Sequence, residues 1–351
     1  MINNSIILKQ CDTDNDAITD FNLTEANSIL SNQTTNTYTY HTSLLGAQNN
    51  SNLITNELSY TAPNGSQVWA RIVNTEGCSR TALVNLVVST TTIPQNHKFT
   101  IAACDDYLSV ADPANDGYAY FNLDNPDVTQ NAIQNLLSFF SASQPLIVAF
   151  YENESDALAE LNAIVDITNY RNITPNSQII WARIDSDLNN ECFGVGPFIE
   201  LVVNPLPTVS LGPDFVICVD PITGLGSQVV DATPTATGNY SYQWTPTNPA
   251  GNVPTFEITT GGTFSVIVTN LTTNCSVAES ITTTFSSEPA TFEANLITPA
   301  FAAGLSTIEA IATGGFGTYE YSVNTIDWQS SPLFTNLENG SYIVYVRDIQ
   351  G

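Results

Sequence analysis

Two short acidic segments are the part of this sequence best suited to bind a metal ion. Their carboxylates are Asp12, Asp14 and Asp16 in the first segment, and Asp105, Asp106, Asp112 and Asp116 in the second. Carboxylates at alternate positions of a tight loop supply the oxygen ligands that Ca²⁺ takes. The EF-hand pattern fails, because Ala17 replaces the turn glycine and Leu23 the bidentate glutamate. We predict a structural Ca²⁺ site in either loop, with a solvated acidic turn as the alternative.

A repeated Trp-Ala-Arg segment is the candidate binding surface. Residues Val68–Ile72 read Val-Trp-Ala-Arg-Ile and recur at Ile180–Ile184 as Ile-Trp-Ala-Arg-Ile. Side chains two apart on a strand share a face, so each guanidinium can stack on its indole. The four residues concerned are Trp69, Arg71, Trp181 and Arg183. They predict a platform for a sugar or a protein partner, and the alternative is a stacked pair that covers the sheet.

Catalytic chemistry has little support in the sequence. His41 and His97 each stand alone, without a recognisable Ser-His-Asp or Cys-His set. The chain has 34 acidic residues, but no spacing among them selects a glycosidase pair. We therefore expect that the chain is not an enzyme.

The elements that position these residues form repeated modules. Residues 1–92 and 93–207 each contain a cysteine with acidic residues, a Phe-Asn-Leu segment, helical signals and a Trp-Ala-Arg strand before a second cysteine. Residues 208–287 alternate short strands with Pro, Gly and Asn, and Trp244 is typical of an Ig-like sandwich. Residues 288–351 begin a fourth module. The predicted fold is mainly β, with tandem Ig-like or β-sandwich modules in an extended array and short helices in the first two.

Local patterns also predict individual elements. The predicted helices are Thr24–Leu30, Val128–Phe139 and Ser155–Ile164, with Thr24 and Ser155 as N-caps. Strands include Thr37–His41, Val68–Val73, Ala82–Val88, Leu146–Tyr151 and Thr255–Ile258. Asn339-Gly340 between alternating runs predicts a hairpin in the fourth module.

The cysteines predict disulfide bonds and an oxidising compartment. They are Cys11, Cys78, Cys104, Cys192, Cys218 and Cys275. No Cys-x-x-Cys spacing suggests zinc, and an even count is typical of secreted chains. Two cysteines fall in each of the first three modules, so the repeat favours the pairs Cys11–Cys78, Cys104–Cys192 and Cys218–Cys275.

Composition narrows the partners. The 351 residues include 7 Lys and Arg against 34 Asp and Glu, for a net charge of −27. Phosphate binding requires clusters of basic residues, so nucleic acid is excluded as a partner. The sequence contains no transmembrane run and residues 1–10 do not resemble a signal peptide, so we expect no membrane insertion and a piece of a longer secreted protein.

Several segments resemble a known family. Ala312–Gly315, Tyr319–Ser322 and Asn339–Asp348 are similar to the SprB repeat of flavobacterial gliding-motility adhesins, although that repeat usually ends in Gly-Cys and this chain stops at Gly351. The cysteine-acidic, Phe-Asn-Leu and Trp-Ala-Arg-Ile segments resemble arrays in very large Bacteroidetes surface proteins. This resemblance implies export by the type IX secretion system.

The expected function is therefore structural and adhesive. The chain would lie outside the cell or at its surface, as a stalk or a multivalent binder of glycans or surfaces. The alternative is an accessory carbohydrate-binding region of a secreted polysaccharide-degrading enzyme.

Overall fold

A computed structural model describes residues 3–106, 114–188, 191–299 and 304–350. The chain divides into two compact units, Met1–Pro205 and Leu206–Gly351. Both are mainly β, as predicted, and the few short helices of the described residues lie in the first unit. Among the described residues, no helix is long and apolar enough to cross a membrane.

The first module is a four-stranded sheet with two short helices and a separate strand pair. Its elements are β1 (Ser5–Asp12), β2 (Ile18–Phe21), α1 (Ala26–Leu30), β3 (Thr37–His41), α2 (Leu44–Asn49), β4 (Tyr60–Pro63), β5 (Gln67–Val73) and β6 (Ser79–Thr90). A 3₁₀ turn at Leu23–Glu25 precedes α1. The sheet order is β1-β6-β5-β3, and β2 pairs with β4. The first strand of the module, β1, pairs in parallel with its last strand, β6.

The second module repeats this arrangement. Its elements are β7 (Phe99–Cys104), β8 (Tyr120–Phe121), α3 (Ala132–Leu137), β9 (Leu146–Tyr151), α4 (Glu154–Ala159), β10 (Tyr170–Arg171), β11 (Ser177–Ser186) and β12 (Cys192–Asn204). The order β7-β12-β11-β9, with β7 parallel to β12, matches that of the first module strand for strand.

The second unit contains two further sets of strands. The first set is β13 (Phe215–Cys218), β14 (Gln228–Asp231), β15 (Tyr240–Thr245), β16 (Thr255–Ile258), β17 (Gly262–Asn270) and β18 (Ser276–Ser286). The second set is β19 (Thr291–Thr298), β20 (Ser306–Thr313), β21 (Tyr319–Ser322), β22 (Leu333–Leu337) and β23 (Tyr345–Asp348). In the first set the order is β13-β18-β17-β15, again with the first strand parallel to the last. Trp244 is buried there, and its ring centroid lies 5.1 Å from that of Phe256.

Side chains alternate between the two faces of the Trp-Ala-Arg strand in the first module. Val68, Ala70 and Ile72 are buried in the core of the first module, while Trp69 and Arg71 lie on the opposite face and are half-buried. Burial of the larger side chains, Val68 and Ile72, stabilises the module by about 1.5–3 kcal/mol each. The predicted shared face of Trp and Arg is therefore correct in this module.

The predicted helices and the predicted hairpin need correction, and one short helix was not predicted. The helices are shorter than predicted, and their caps differ because asparagines precede the expected residues: Asn22 caps the 3₁₀ turn and Asn153 caps α4 through a 2.9 Å bond from the Asp156 N–H. Helix α2 was not predicted, since six residues show little periodicity. No ladder forms across Asn339-Gly340 in the described part of the fourth module, because β22 pairs with β20 and β23 with β21.

Candidate functional site: the junction between the first two modules

A disulfide bond joins the first module to the second. It connects Cys11, near the end of β1, to Cys192, the first residue of β12, with the Cα atoms 5.5 Å apart. Both cysteines are buried, and 181 positions separate them in the sequence. The bond therefore crosses a module boundary instead of closing one repeat.

All three predicted pairings are wrong. Cys11 is bonded to Cys192, which excludes Cys11–Cys78 and Cys104–Cys192, and the thiol of Cys218 is free, which excludes Cys218–Cys275. Free thiols are carried by Cys78 and Cys218, whereas Cys104 and Cys275 are disulfide-bonded.

Strand geometry is the reason that the predicted pairs do not form. Cys11 lies opposite Ser89 near the end of β6, whereas Cys78 immediately precedes the start of that strand. An extended strand of this length places the two cysteines roughly 30 Å apart, and a disulfide requires Cα atoms within about 7 Å. Cys104 and Cys218 lie in the same way opposite Asn204 and Ser286, the last residues of β12 and β18.

The disulfide lies in an apolar cluster in which Cys11 packs among side chains of the second module. The cluster contains Cys11, Tyr151, Ala157, Leu158, Cys192 and Val195, with Ala149 and Trp181 packed against it. Trp181, predicted to belong either to a binding platform or to a pair that covers the sheet, is half-buried against this cluster. An apolar environment without access to water protects the sulfur atoms from attack by external thiolates.

Side chains of the first module also bind the C-terminal end of α4. Gln10 Nε2 donates to the Leu158 carbonyl at 2.7 Å, and Asn22 Nδ2 donates to the Ala159 carbonyl at 2.6 Å. The last carbonyls of a helix have no partner within the helix. Here the neighbouring module supplies the missing donors, so α4 is completed only when the junction forms.

Arg183 is the centre of this junction and is fully buried. Its Nε donates to both carboxylate oxygens of Asp185 at 2.9 Å, and Nη2 lies 2.6 Å from Glu160 Oε1. Its Nη1 donates to Gln10 Oε1 of the first module at 2.6 Å and to the Ala157 carbonyl at 3.3 Å. We predicted a shared-face pair with Trp181, but the guanidinium is instead held by two carboxylates and by a side chain of the neighbouring module.

The carboxyl groups around Arg183 have perturbed pKa values. Burial, followed by the charge of Glu160, raises the pKa of Glu25 from 4.5 to about 9. Burial also raises the pKa of Asp185, from 3.8 to about 7, against the opposing effect of Arg183. Three carboxyls around one guanidinium would carry excess negative charge in a poorly solvated site, so retention of a proton relieves the repulsion.

Arg71 in the first module shows the same contact without the burial. Its Nη1 donates to the carbonyls of Ala47 and Gln48 in α2 at 3.0 and 3.1 Å, as Arg183 does to Ala157 in α4. The positions of Glu160 and Asp185 are occupied by Asn50 and Val73 in this module. Among the described residues, the cation–π contacts include neither Arg71 with Trp69 nor Arg183 with Trp181, so the predicted stacking is wrong.

The acidic segments form compact turns around one buried aspartate each. Asp12 Oδ1 accepts from the N–H groups of Asp14 and Asn15, and Oδ2 accepts from that of Ala17 at 2.8 Å. Burial opposes ionisation of Asp12, but these backbone bonds lower its pKa overall. Asp105 accepts in the same way from the N–H groups of Asn115 and Gly117.

Several of the carboxylate oxygens predicted to bind calcium already have partners within the protein. Carboxylate oxygens of Asp12, Asp14 and Asp16 lie within 4.8 Å of one another, but those of Asp12 face N–H donors. In the second loop Asp106 forms an ion pair with Arg171 at 2.9 Å, Asp116 accepts from the Tyr118 N–H, and Asp112 lies outside the described residues. Backbone hydrogen bonds to Asp12 and Asp105 stabilise the two turns, and calcium binding stays a prediction.

Both histidines have structural partners. His41 is buried between the Ser51 carbonyl, 2.7 Å from Nδ1, and Thr39 Oγ1, 3.0 Å from Nε2. His97 Nε2 lies 2.7 Å from Asn135 Oδ1. These contacts explain both side chains by packing and hydrogen bonding.

The family that matches this chain is described by a disulfide bond between domains, as is observed between the first two modules. The profile of the Flavobacterium inter-domain disulphide bond domain matches residues 7–94 and 100–207, which together are more than half of the chain. The search of curated proteins found no match to this chain.

Solved structures with similar features include tandem Ig-domain proteins. Sidekick-1 immunoglobulin domains 1–5 align at 12% identity, over 89% of this chain and 71% of that one, with a TM-score of 0.25. The N-terminal four Ig domains of Dscam1 isoform 6.44 align at 12% identity, over 99% and 94%, with a TM-score of 0.25. TM-scores this low support no conclusion about function. The family match and the observed bond between its two copies establish that the chain belongs to the Flavobacterium inter-domain disulphide bond domain family.

Proposed function

We propose that the chain is a non-catalytic spacer segment of a secreted flavobacterial cell-surface protein, in which covalently joined modules hold a binding region at a distance. The observation that carries the proposal is the buried Cys11–Cys192 bond between two modules of one repeat. A link between modules restricts their relative motion, whereas a bond within a module would leave the connection flexible.

The junction contains polar contacts that add orientation to the covalent link. Arg183 binds Gln10 across the boundary, and Gln10 also binds the end of α4. Hydrogen bonds of buried charged groups have restricted geometry, so they fix the angle at which the modules meet. A spacer that transmits force benefits from such a fixed angle.

Disulfide chemistry supports a location outside the cell. Structural disulfides persist in oxidising compartments and are rare in the cytosol. The low content of charged residues, 12%, and the family match agree with an extracellular segment. The role we propose at the surface is adhesion.

The finer assignment concerns the fourth module and the route of export. The segments that resemble the SprB repeat include β21 and β23, which pair with each other in the structure. On this resemblance we propose gliding-related adhesion and export by the type IX secretion system. Protease added to intact cells that make the protein should degrade it, and protection of the protein until the cells are lysed would contradict surface exposure.

Distance measurements between spin labels test the spacer role directly. One label is placed on the natural thiol of Cys78 and a second on Ser143→Cys, an exposed turn of the second module, in a Cys218→Ser background. We expect one narrow distance distribution. The matched variant with Cys11→Ser and Cys192→Ser should broaden it. A broad distribution with the disulfide intact would contradict a rigid junction.

A further inference from the structure

A cleft beside Trp181 is a feature of the junction that the spacer role does not use. Its volume is about 410 Å³, within the range of about 300–1,000 Å³ that is typical of small-ligand sites. Both modules and the connection between them contribute polar side chains to it, which include Thr13, Asp14, Thr91, Gln95 and Glu154. The cleft is therefore formed where the two modules meet.

The strand that pairs with the Trp181 strand contains a β-bulge at the cleft. Two residues of β12, Pro197 and Phe198, occupy the register positions opposite the single residue Trp181 of β11. In the first module the corresponding residue, Trp69, pairs with Leu83 in a ladder without a register shift. Bulges are frequent next to active sites, where they re-aim side chains. The two tryptophans thus have the same place in the repeat but different surroundings.

Contacts within the protein hold the walls of the cleft in place. Lys98 Nζ donates to the Pro197 carbonyl in the bulge. Gln95 Nε2 donates to the Thr13 carbonyl at 3.1 Å, which ties the connection between the modules to the first aspartate turn. Trp181 packs against the apolar cluster around the disulfide. A site that is formed before its ligand arrives loses less conformational entropy on binding.

The lining of the cleft combines an indole with several hydrogen-bond acceptors. The indole of Trp181 offers a wide apolar surface, and the carboxylates of Asp14 and Glu154 lie on exposed residues. Carboxylates, amides and hydroxyls all accept hydrogen bonds from hydroxyl groups. A pyranose ring carries C–H groups on its face and hydroxyls around its edge, so its chemistry matches this lining.

Charge restricts the sugar to a neutral one. Among the described residues that line the cleft, the ionisable side chains are the acids Asp14 and Glu154, and the chain has a net charge of −27. Uronate or sulfate groups would be repelled by this field. An ammonium group would be attracted to the carboxylates and the indole, but it would leave the hydroxyl and amide groups of the cleft unused.

We propose that this cleft binds a neutral polysaccharide, with one sugar ring stacked on Trp181 and hydroxyls bonded to Asp14 and Glu154. Arg183, which was predicted to share this role, is instead fully buried in the ion-pair network. The inference goes beyond the spacer role, which requires no ligand in this segment. The distances between spin labels test that role separately, so failure of one leaves the other intact.

Affinity electrophoresis of the full chain tests the proposal with defined polysaccharides. The gels contain starch, glucomannan, xyloglucan or mixed-linkage glucan, and a gel with alginate serves as the anionic control. We expect retardation by at least one neutral polysaccharide and none by alginate. Trp181→Ala should weaken the binding about tenfold or more, whereas Trp69→Ala, the matched variant of the first module, should bind like the wild type.

A second variant separates binding from folding, because Trp181 also packs at the junction. Glu154→Gln removes an exposed charge with little change of shape and should weaken the binding roughly two- to tenfold. Protection of Cys11 and Cys192 from alkylation shows that the junction is folded in each variant.

Four results would overturn the proposal. They are the absence of retardation by all four neutral polysaccharides, equal losses in Trp69→Ala and Trp181→Ala, and unchanged binding of Glu154→Gln. The fourth is displacement of the polysaccharide by N-acetyl-lysine amide, which would show that the cleft prefers a cation.

Discussion

The two copies of the Trp-Ala-Arg strand place the same arginine in different environments. Arg71 is half-buried and binds carbonyls of α2, whereas Arg183 is fully buried and binds Asp185, Glu160 and Gln10. The shared contact with the neighbouring helix belongs to the module, and the additional partners belong to the junction. One repeat motif therefore serves two purposes, and the residues around it decide which.

The largest expected effect comes from removal of the buried arginine. Arg183→Met leaves Asp185 and Glu160 without their counter-charge, and loss of one partner of a buried ion pair costs about 3–5 kcal/mol. Arg71→Met removes only contacts at a helix end, worth about 0.3–1 kcal/mol. Chemical denaturation of the two variants measures the difference. Equal losses would show that the junction contributes nothing to the role of Arg183.

A second large effect comes from the disulfide. Replacement of both Cys11 and Cys192 by serine releases a loop of 181 residues and should lower the free energy of unfolding by about 2–5 kcal/mol. Cys78→Ser is the matched control, because its thiol is free and exposed. The control should melt like the wild type, and a similar destabilisation in both variants would contradict the assignment of bonded and free cysteines.

The carboxyls at the junction make stability depend on pH. Glu25 binds its proton more tightly in the folded protein, where its pKa is about 9, than in the unfolded chain, where it is near 4.5. This contribution is therefore complete below pH 4.5 and is lost as the pH rises toward 9. Glu25→Gln should flatten the fall in melting temperature over this range, and an unchanged profile would exclude Glu25 as its cause.

The smallest expected effect on stability comes from exchanging alanine and glycine at equivalent positions of the two aspartate turns. Ala17 and Gly117 both have positive φ, 64° and 88°, and both turns contact the Asn that follows the Pro before the Trp-Ala-Arg strand. Alanine is strained in this conformation, so Ala17→Gly should raise the free energy of unfolding by about 0.5–1 kcal/mol.

The reciprocal Gly117→Ala should be destabilising, because the added Cβ would lie 2.7 Å from the backbone nitrogen of Asn176. Thermal melts of the two variants should therefore shift in opposite directions. Shifts in the same direction would show that the two turns are not equivalent.

Local pattern was sufficient for much of the fold. Thr37–His41, Leu146–Tyr151 and Thr255–Ile258 form strands at the predicted bounds, because alternation and β-branched or aromatic content specify a strand within its own residues. The strand containing Cys11 was not predicted. It forms by parallel pairing with a strand about 80 positions later, which no local pattern records.

The candidate site was predictable only in part. Arg183 was identified, but its role depends on side chains that lie 173 and 23 positions away, Gln10 and Glu160. A usable signal lay in the difference between the two copies: Asp185 and Glu160 replace Val73 and Asn50, which adds carboxylates around only one arginine. The positions at which the two copies differ therefore indicate the junction, whereas the positions that they share indicate only the repeated module.

Disulfide mapping of the unreduced protein tests the central claim most directly. Free thiols are alkylated first, and the protein is then digested at low pH, where thiolate exchange is slow. The structure predicts a linked peptide pair containing Cys11 and Cys192, with alkylated Cys78 and Cys218. A linked pair containing Cys11 and Cys78 would show that the bond closes a module, and it would contradict the covalent junction on which this account depends.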